Sequence, residues 1–490
     1  MSVPGEAPDQ SPHEASDQAL AAWLATRRWS GARGGALRVV GVEAIPLFDA
    51  PAASLRVLRV AAPGVAPYEL LLPVVRRPVA EPALPPPTEW LPGSGDTAAA
   101  FDATLDPEFR RALLDAVRGD AAFADPRVSA ARVEGATVPA GSGSRVGTAE
   151  QSNTSIVYDG GVILKLFRRV EVGANPDVEI GRFLARQGFA HVPRLYGTVA
   201  LRRDGGEAVI AMAQALVPDA EDAWAYAVRA AAAAVEGRTA PDAYAGEAAR
   251  LGGVTRALHD ALASDAADPD FAPEPAGAAH VRRWAANAHR AIAEAAAAVR
   301  TSSAPGAELV RERRGDVDAL VDAAMAAVGD AAGAAVRHHG DYHLGQVLRA
   351  GSGELFVIDF EGEPARPLAE RRLKHSPLRD VAGMLRSFAY AAAFAARTAA
   401  GPDAGSGAFA ERADAWERHA RTAFLDAYLA GGDTSYLPPS RAGTTALLAL
   451  FELEKLVYEI RYELLNRPDW AAIPLGALSR RLGPQPAAGA

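Results

Sequence analysis

The sequence predicts an α+β protein built as two lobes behind a small N-terminal module, and three observations predict it. Strands with β-branched alternation recur through the first 218 residues. Long alanine-rich helical patterns take over after Asp219, and short apolar strands interrupt those helices between His339 and Gly362. At 490 residues the chain is also too long for one compact core, so two or three domains are expected.

Taken in order, residues 1–17 are polar and read as disordered, and Leu20 to Trp29 reads as a short helix. Leu37–Leu47, Ser54–Ala61 and Tyr68–Val75 carry the period-two pattern of strands. Val79–Gly95 is Pro-rich and reads as a connection, and Phe109–Arg118 as an amphipathic helix. Together these make an α/β cap module, residues 1–135. Residues 136–218 form a small strand-rich lobe, opened by strands at Arg132–Val138 and Asn153–Tyr158. The tight-turn signal Asp159-Gly160-Gly161 follows, then a return strand, Val162–Phe167. One helix runs from Pro176 to Gln187, with Asn175 as N-cap and Pro176 in its first turn. Strands around His191–Val199 and Ala208–Val217 complete the lobe. Residues 219–490 form a large helical lobe, because alanine-rich runs are strong helix formers. Its helices are Asp222–Ala234, Tyr244–Ala263, Glu274–Arg300, Leu309–Val328, Arg379–Arg397, Gly407–Ala430 and Thr444–Leu465. The tail after Gly483 reads as disordered.

Composition narrows the function classes. A net charge of −9 argues against a large nucleic-acid-binding surface. The absence of cysteine excludes disulfides and thiolate metal sites. Met1 to Leu20 lacks the basic end and apolar run of a signal peptide, and no uninterrupted apolar stretch is long enough to span a bilayer. A cytoplasmic protein with no membrane partner is the expectation. Only three of the 51 basic residues are lysine: Lys165, Lys374 and Lys455. A lysine that survives so strong a drift to arginine hints at a site needing a compact ammonium.

The chemistry concentrates in His339-Gly-Asp-Tyr-His-Leu-Gly-Gln346 and Phe356-Val-Ile-Asp-Phe-Glu-Gly362. Asp341 can accept a hydroxyl proton. Gln346, five residues on, can reach a metal ion, and Asp359, at the end of an apolar strand, can hold Mg²⁺ against ATP phosphates. That order matches the logic of a kinase catalytic loop. His339 and His343 read as structural rather than as a metal pair, because Gly340 and Gly345 oppose the helix that would align them. Asp380 reads as a residue that ties loops together.

Upstream, Lys165 lies mid-strand, where an inward lysine needs a partner. Glu179, on the following helix, can hold it against the phosphates. The other reading of Lys165 is an exposed edge-strand lysine. Gly141 to Gln151, with Ser144 inside it, stands where a phosphate-covering loop belongs, although it is neither a P-loop nor a clean G-x-G-x-x-G. Met212 to Pro218, with Gln214 and Leu216, stands where a hinge would meet an adenine, and is equally compatible with a plain linker. On the last long helix Lys455, Tyr458, Glu459 and Tyr462 recur at three- and four-residue steps. Aromatics beside charges suit a sugar; the same pattern also suits a solvated helix face with tyrosine packing.

Several of these segments resemble maltokinases: Glu150–Ser155, Leu164–Arg169, Asn175-Pro176, His339–Gln346, Asp359–Ala365, Ser376–Ser387 and Asn466–Trp470. The resemblance runs from about residue 140 to 476. Trp23 to Gly35 is similar to the family's cap, with Ser30 where an aromatic is expected, and residues 36–135 match only loosely. The resemblance implies a protein-kinase-like fold of the aminoglycoside phosphotransferase type. It implies ATP and Mg²⁺ as cofactors, and transfer of the γ-phosphate to the anomeric hydroxyl of maltose, feeding α-glucan synthesis. It also implies a trehalose synthase as functional partner. Carried over residue by residue, it makes Asp341 the base, Gln346 and Asp359 the Mg²⁺ ligands, and Lys165 the phosphate ligand held by Glu179. Glu363, Lys455, Tyr458 and Tyr462 would then bind the sugar. Two other functions stay open: a glucosamine kinase on the same scaffold, which needs an acidic pocket such as Glu363, Glu454 or Glu459 can supply, and a nucleotide-binding regulator without activity. An antibiotic phosphotransferase is disfavoured by the resemblance.

Overall fold

The computed structural model describes residues 12–31, 37–63, 65–141, 143–147, 152–300, 306–363, 366–400, 407–431 and 434–483. The chain divides into two compact units, Met1–Arg182 with Pro193–Pro218, and Phe183–Val192 with Asp219–Ala490.

The first unit opens with helix α1 (Pro12–Ala25), which begins inside the stretch the sequence reads as disordered. Strands β1 (Arg38–Asp49), β2 (Ala52–Ala62), β3 (Val65–Pro78) and β4 (Ala98–Asp102) form an antiparallel meander. Helix α2 (Pro107–Arg118) follows. Asp106 caps it by accepting from the N–H groups of Glu108 and Phe109 at 2.8 and 2.9 Å, Pro107 fills the first turn, and Gly119 closes it at φ +83°. A second antiparallel sheet then forms from β5 (Val128–Arg132), β6 (Ser144–Val146), β7 (Asn153–Tyr158), β8 (Val162–Phe167), β10 (Leu195–Arg203) and β11 (Gly206–Ala215), in the order β5-β10-β11-β8-β7-β6. Two-residue β9 (Arg169–Val170) leaves this second sheet and pairs with β3 of the first. Helix α3 spans Pro176–Arg186, with Asn175 accepting from the N–H groups of Asp177 and Val178.

One hydrophobic core runs through both sheets. It joins Leu55, Val57 and Phe101 of the meander, Phe109 and Leu113 of α2, and Tyr158, Leu164, Leu166 and Val199 of the second sheet. The strand expected at Arg132–Val138 forms instead at Val128–Arg132, where it pairs with β10.

The second unit is helical: α4 (Ala223–Val235), α5 (Ala245–Leu262), α6 (Ala278–Val299), α7 (Glu308–Glu312), α8 (Arg314–Val328), α9 (Leu368–Arg371), α10 (Leu378–Ala400), α11 (Ala408–Leu429), α12 (Arg441–Asn466) and α13 (Ala472–Leu482). Helix α12 packs against α6, α8 and α10 and buries Leu447, Leu450, Leu456, Val457 and Ile460. Strands β12 (Glu221–Asp222), β15 (Val347–Arg349) and β16 (Leu355–Val357) form one small sheet, and β13 (Glu274–Gly277) pairs with β14 (Ala331–Ala335). Two helices expected from sequence are modified. Glu274–Gly277 is strand rather than the first turn of α6, and the Leu309–Val328 pattern breaks at Arg313, whose φ of −102° and ψ of 16° are not helical. Among the described residues no helix is long and apolar enough to cross a membrane.

Candidate active site

The loop between β14 and β15 carries Asp341, and its backbone is fixed from beneath by α10. Asp380, on the first turn of α10 and 1% exposed, accepts the N–H groups of His339 and Gly340 at 2.7 and 3.0 Å and lies 3.3 Å from His259 Nε2. Burial alone would raise this carboxyl; the hydrogen bond to His259 and the neighbouring imidazoles hold it far below the ordinary range. His339 reaches back to the Ile358 carbonyl at 2.9 Å, and Leu344 N–H donates to Ser387 Oγ. Gly383 lets α10 approach closely: a Cβ there would stand 2.4 Å from the Tyr342 carbonyl oxygen. Asp380 and His339 thus do the loop-holding work the sequence suggested.

Past Asp341 the chain makes a 3₁₀ turn, Leu344–Gln346, capped by His343 Nδ1 accepting the Gly345 N–H at 3.0 Å. The β15–β16 hairpin, in register at Val347 and Val357, then brings Gln346 beside Asp359. Gln346 Nε2 lies 3.1 Å from Asp359 Oδ2, and Asp359 sits at φ +67°, in the left-handed region. Glu361 was read from sequence only as part of the segment after Asp359. One of its carboxylate oxygens lies within 4.8 Å of one of Asp359's. Mg²⁺ prefers oxygen ligands in a small octahedron, and these two carboxylates with the Gln346 side-chain oxygen fit that preference. The signal for Glu361 was its place two residues past a strand-terminal aspartate.

Asp341 opens onto a cavity lined by Glu363, Arg366, Arg379, Glu454, Lys455 and Tyr458, among others. Its side chain is 25% exposed, with Lys455 Nζ 3.3 Å from Oδ1 and His343 Nε2 3.9 Å from Oδ2. Burial would raise the Asp341 carboxyl, but the Lys455 ammonium, with His343 and His339, brings it below the ordinary aspartate value. The reciprocal effect keeps Lys455 protonated: burial opposes its charge, and Asp341, Glu459 and Glu363 more than offset that. The other acids are matched too. Glu363 takes Arg366 Nε at 2.7 Å. Glu454 takes both terminal nitrogens of Arg379, at 2.9 and 3.3 Å. Tyr458 stacks on Tyr462 at 6.2 Å and 21°, and Tyr462, expected at the sugar site, is not among the residues that line the cavity. Glu459 is buried against Arg386 at 2.7 Å, so it does not join Lys455 and Tyr458 at the cavity. Lys374 binds Glu274 and the Pro269 carbonyl, a structural role.

In the first unit Lys165 is 9% exposed on β8, paired in register with Ser155 and Met212. Its Nζ lies 3.0 Å from Asp177 Oδ2. The sequence singled out Glu179 of α3; the structure adds Asp177, two residues earlier on the first turn, which sequence reasoning missed. Ser144 is held by Arg110, whose Nε donates to its hydroxyl at 2.8 Å. Gln214 lies in β11 opposite Ile163. The Leu216 N–H donates to the Gly161 carbonyl at 2.9 Å. Residues 148–151 and 364–365, parts of two motifs read from sequence, lie outside the described residues.

A base-competent aspartate, an amide and two carboxylates grouped on a hairpin, and a buried lysine with an acid partner are the parts of a phosphoryl-transfer enzyme of kinase-like fold. The family model described as "Phosphotransferase enzyme family" matches residues 146–420, more than half the chain, and the chain belongs to that family. It is an ATP-dependent phosphotransferase, with ATP and Mg²⁺ as its cofactors. Among curated proteins the chain is 35% identical over 340 residues to a glucosamine kinase of Mycolicibacterium smegmatis, covering 69% of this chain and 79% of that protein. It is 31% identical over 337 residues to a glucosamine kinase of Streptacidiphilus jiangxiensis, covering 66% and 70%. A solved glucosamine kinase in complex with glucosamine, ADP and inorganic phosphate superposes with a TM-score of 0.64, at 23% identity, over 97% of this chain and 100% of that one. At that identity the likeness concerns the fold.

Proposed function

We propose that this phosphotransferase is a sugar kinase whose acceptor is an amino sugar of the glucosamine class. The observation that carries the reading is the 35% identity to a glucosamine kinase along most of both chains. In this reading Asp341 accepts the proton of the attacking acceptor hydroxyl, and Lys455 keeps it ionised and ready to do so. Asp380 holds the loop that aims it. Glu363 and Glu454 give the cavity its acidic wall for an ammonium. Gln346, Asp359 and Glu361 would hold Mg²⁺, and Lys165 would pair with ATP phosphates. Bound there, Mg²⁺ would neutralise charge on the transferring phosphoryl group.

Maltose remains the second reading, favoured by a specific observation. The cavity glutamates Glu363, Glu454 and Glu294 are already matched by Arg366, Arg379 and Arg461, and Tyr458 offers a flat ring at the cavity wall that suits a neutral sugar. Trehalose synthase as a partner belongs to that reading. An acceptor panel with ATP and Mg²⁺ tests both, using glucosamine, maltose, glucose, trehalose and an aminoglycoside. Preferential kcat/KM for glucosamine is expected. Preferential turnover of maltose would reject the amino-sugar reading, and binding of ATP with no turnover of any acceptor would reject both.

A further inference from the structure

The cap module contains a polar junction whose position suggests what the module is for. At the end of β4, Asp102 turns the chain into a 3₁₀ turn, Ala103–Leu105, and its Oδ1 accepts both the N–H and the hydroxyl of Thr104, at 3.0 and 2.8 Å. Two buried arginines meet at this turn, each with its other end in a different element of the second sheet. Arg168, 1% exposed and three residues after Lys165, donates to Asp102 Oδ2 at 2.6 Å and to Thr154 Oγ1 of β7 at 2.8 Å. Its guanidinium lies 4.4 Å from the Trp29 ring, and its carbonyl accepts the Leu71 N–H at 2.7 Å. Arg110 of α2, 7% exposed, donates to the Thr104 carbonyl at 2.8 Å. It also grips Ser144 twice, at the hydroxyl and at the carbonyl, at 2.8 and 3.1 Å.

A surface ion pair in such a place would be weak and mobile. A buried, multiply hydrogen-bonded guanidinium has one geometry, because its planar fork fixes several partners at once. The two arginines therefore tie the strand that carries Lys165 and the segment that carries Ser144 to one three-residue turn of the cap. They are joined through Thr104, whose carbonyl serves Arg110 and whose hydroxyl lies 3.4 Å from an Arg168 nitrogen.

We infer that the cap is a positioning device for the nucleotide: the Asp102–Thr104 turn, through Arg110 and Arg168, sets the spacing between the Ser144 segment and Lys165 at which ATP phosphates bind. The inference rests on assigning those two elements to the nucleotide, and is independent of which sugar is the acceptor.

The test is calorimetric affinity for ATP with Mg²⁺ on the full chain, without sugar, alongside thermal stability and the KM of the preferred acceptor. Three clamp variants are used. Arg110→Lys keeps the charge and loses the fork. Thr104→Val keeps the shape and loses the hydroxyl. Asp102→Leu with Arg168→Met replaces a buried pair by apolar groups, a change that often preserves folding. The Kd for ATP is expected to rise about tenfold in Arg110→Lys and in the double variant, equivalent to about 1.4 kcal/mol, and less in Thr104→Val, with the acceptor KM unchanged. Leu24→Ala, in the cap's other hydrophobic cluster, is the control; it is expected to lower Tm while leaving the Kd for ATP at the wild-type value. Clamp variants that fold and bind ATP like the wild type would overturn the inference. So would a Leu24→Ala that weakens ATP as much as they do. Lys165→Ala separates the premise: unchanged ATP affinity there would overturn the inference by removing its nucleotide assignment, while the acceptor panel still stood.

Discussion

Asp341 and Asp380 border the same loop of the second unit and are held in opposite ways. Asp380 is fully buried and accepts two backbone N–H groups and a histidine. Asp341 faces a cavity, a quarter exposed, with one ammonium at 3.3 Å. Both carboxyls are held below their ordinary values against burial. The difference lies in what remains available. A carboxylate enclosed by fixed donors orders a backbone, whereas one that faces a cavity beside an ammonium can still receive a proton.

The largest effect that would break this division is expected in Asp341→Asn. A general base contributes about 10²–10⁴ in rate, so kcat is expected to fall by that order while calorimetric ATP binding and Tm persist; near-normal turnover would remove Asp341 from the role. Asp380→Ala is expected to act the other way round. It strands buried N–H donors, at about 1–3 kcal/mol each, so a lowered Tm and denaturant midpoint precede any specific kinetic loss. Gly383→Ala adds a Cβ 2.4 Å from the Tyr342 carbonyl. Overpacking of this kind costs about 1–3 kcal/mol, and the displaced loop is expected to lower kcat more than acceptor KM. The smallest effect sharpens the comparison most. In the wild type the lowered Asp341 value puts the acid limb of kcat/KM below the ordinary aspartate range. Lys455→Met leaves burial unopposed by the ammonium, so the limb is expected to move to higher pH. A limb that stays put would show that Lys455 does not set the protonation of Asp341.

The loop could be read from the sequence because its chemistry is local. Gln346 and Asp359 are brought together by one hairpin whose strands are visible as short apolar runs, and Asp341 lies in the loop just before it. The first unit was less legible. A spacing of 12 or 14 residues between a strand lysine and a helix acid cannot by itself say which acid pairs, since Asp177 and Glu179 lie within one turn. Glu274–Gly277 reads as helix until its partner strand, more than 50 residues away, is known; only Pro275 and Gly277 hint otherwise. Likewise, nothing local marks Asp102, Arg110 and Arg168 as one junction, because their partners come from separate elements.

Asp359, at φ +67°, has a consequence for how this enzyme can be engineered. A non-glycine residue there holds a strained backbone, at roughly 1–2 kcal/mol for an L-residue in the left-handed region. Asp359→Gly would relieve that strain while deleting a carboxylate, giving a protein that melts later and transfers no phosphate. Asp359→Asn, which tolerates the same backbone, would lose activity without that thermal gain. A screen that rewards heat resistance alone would therefore drift towards glycine at this position, and an activity count on each survivor would expose it.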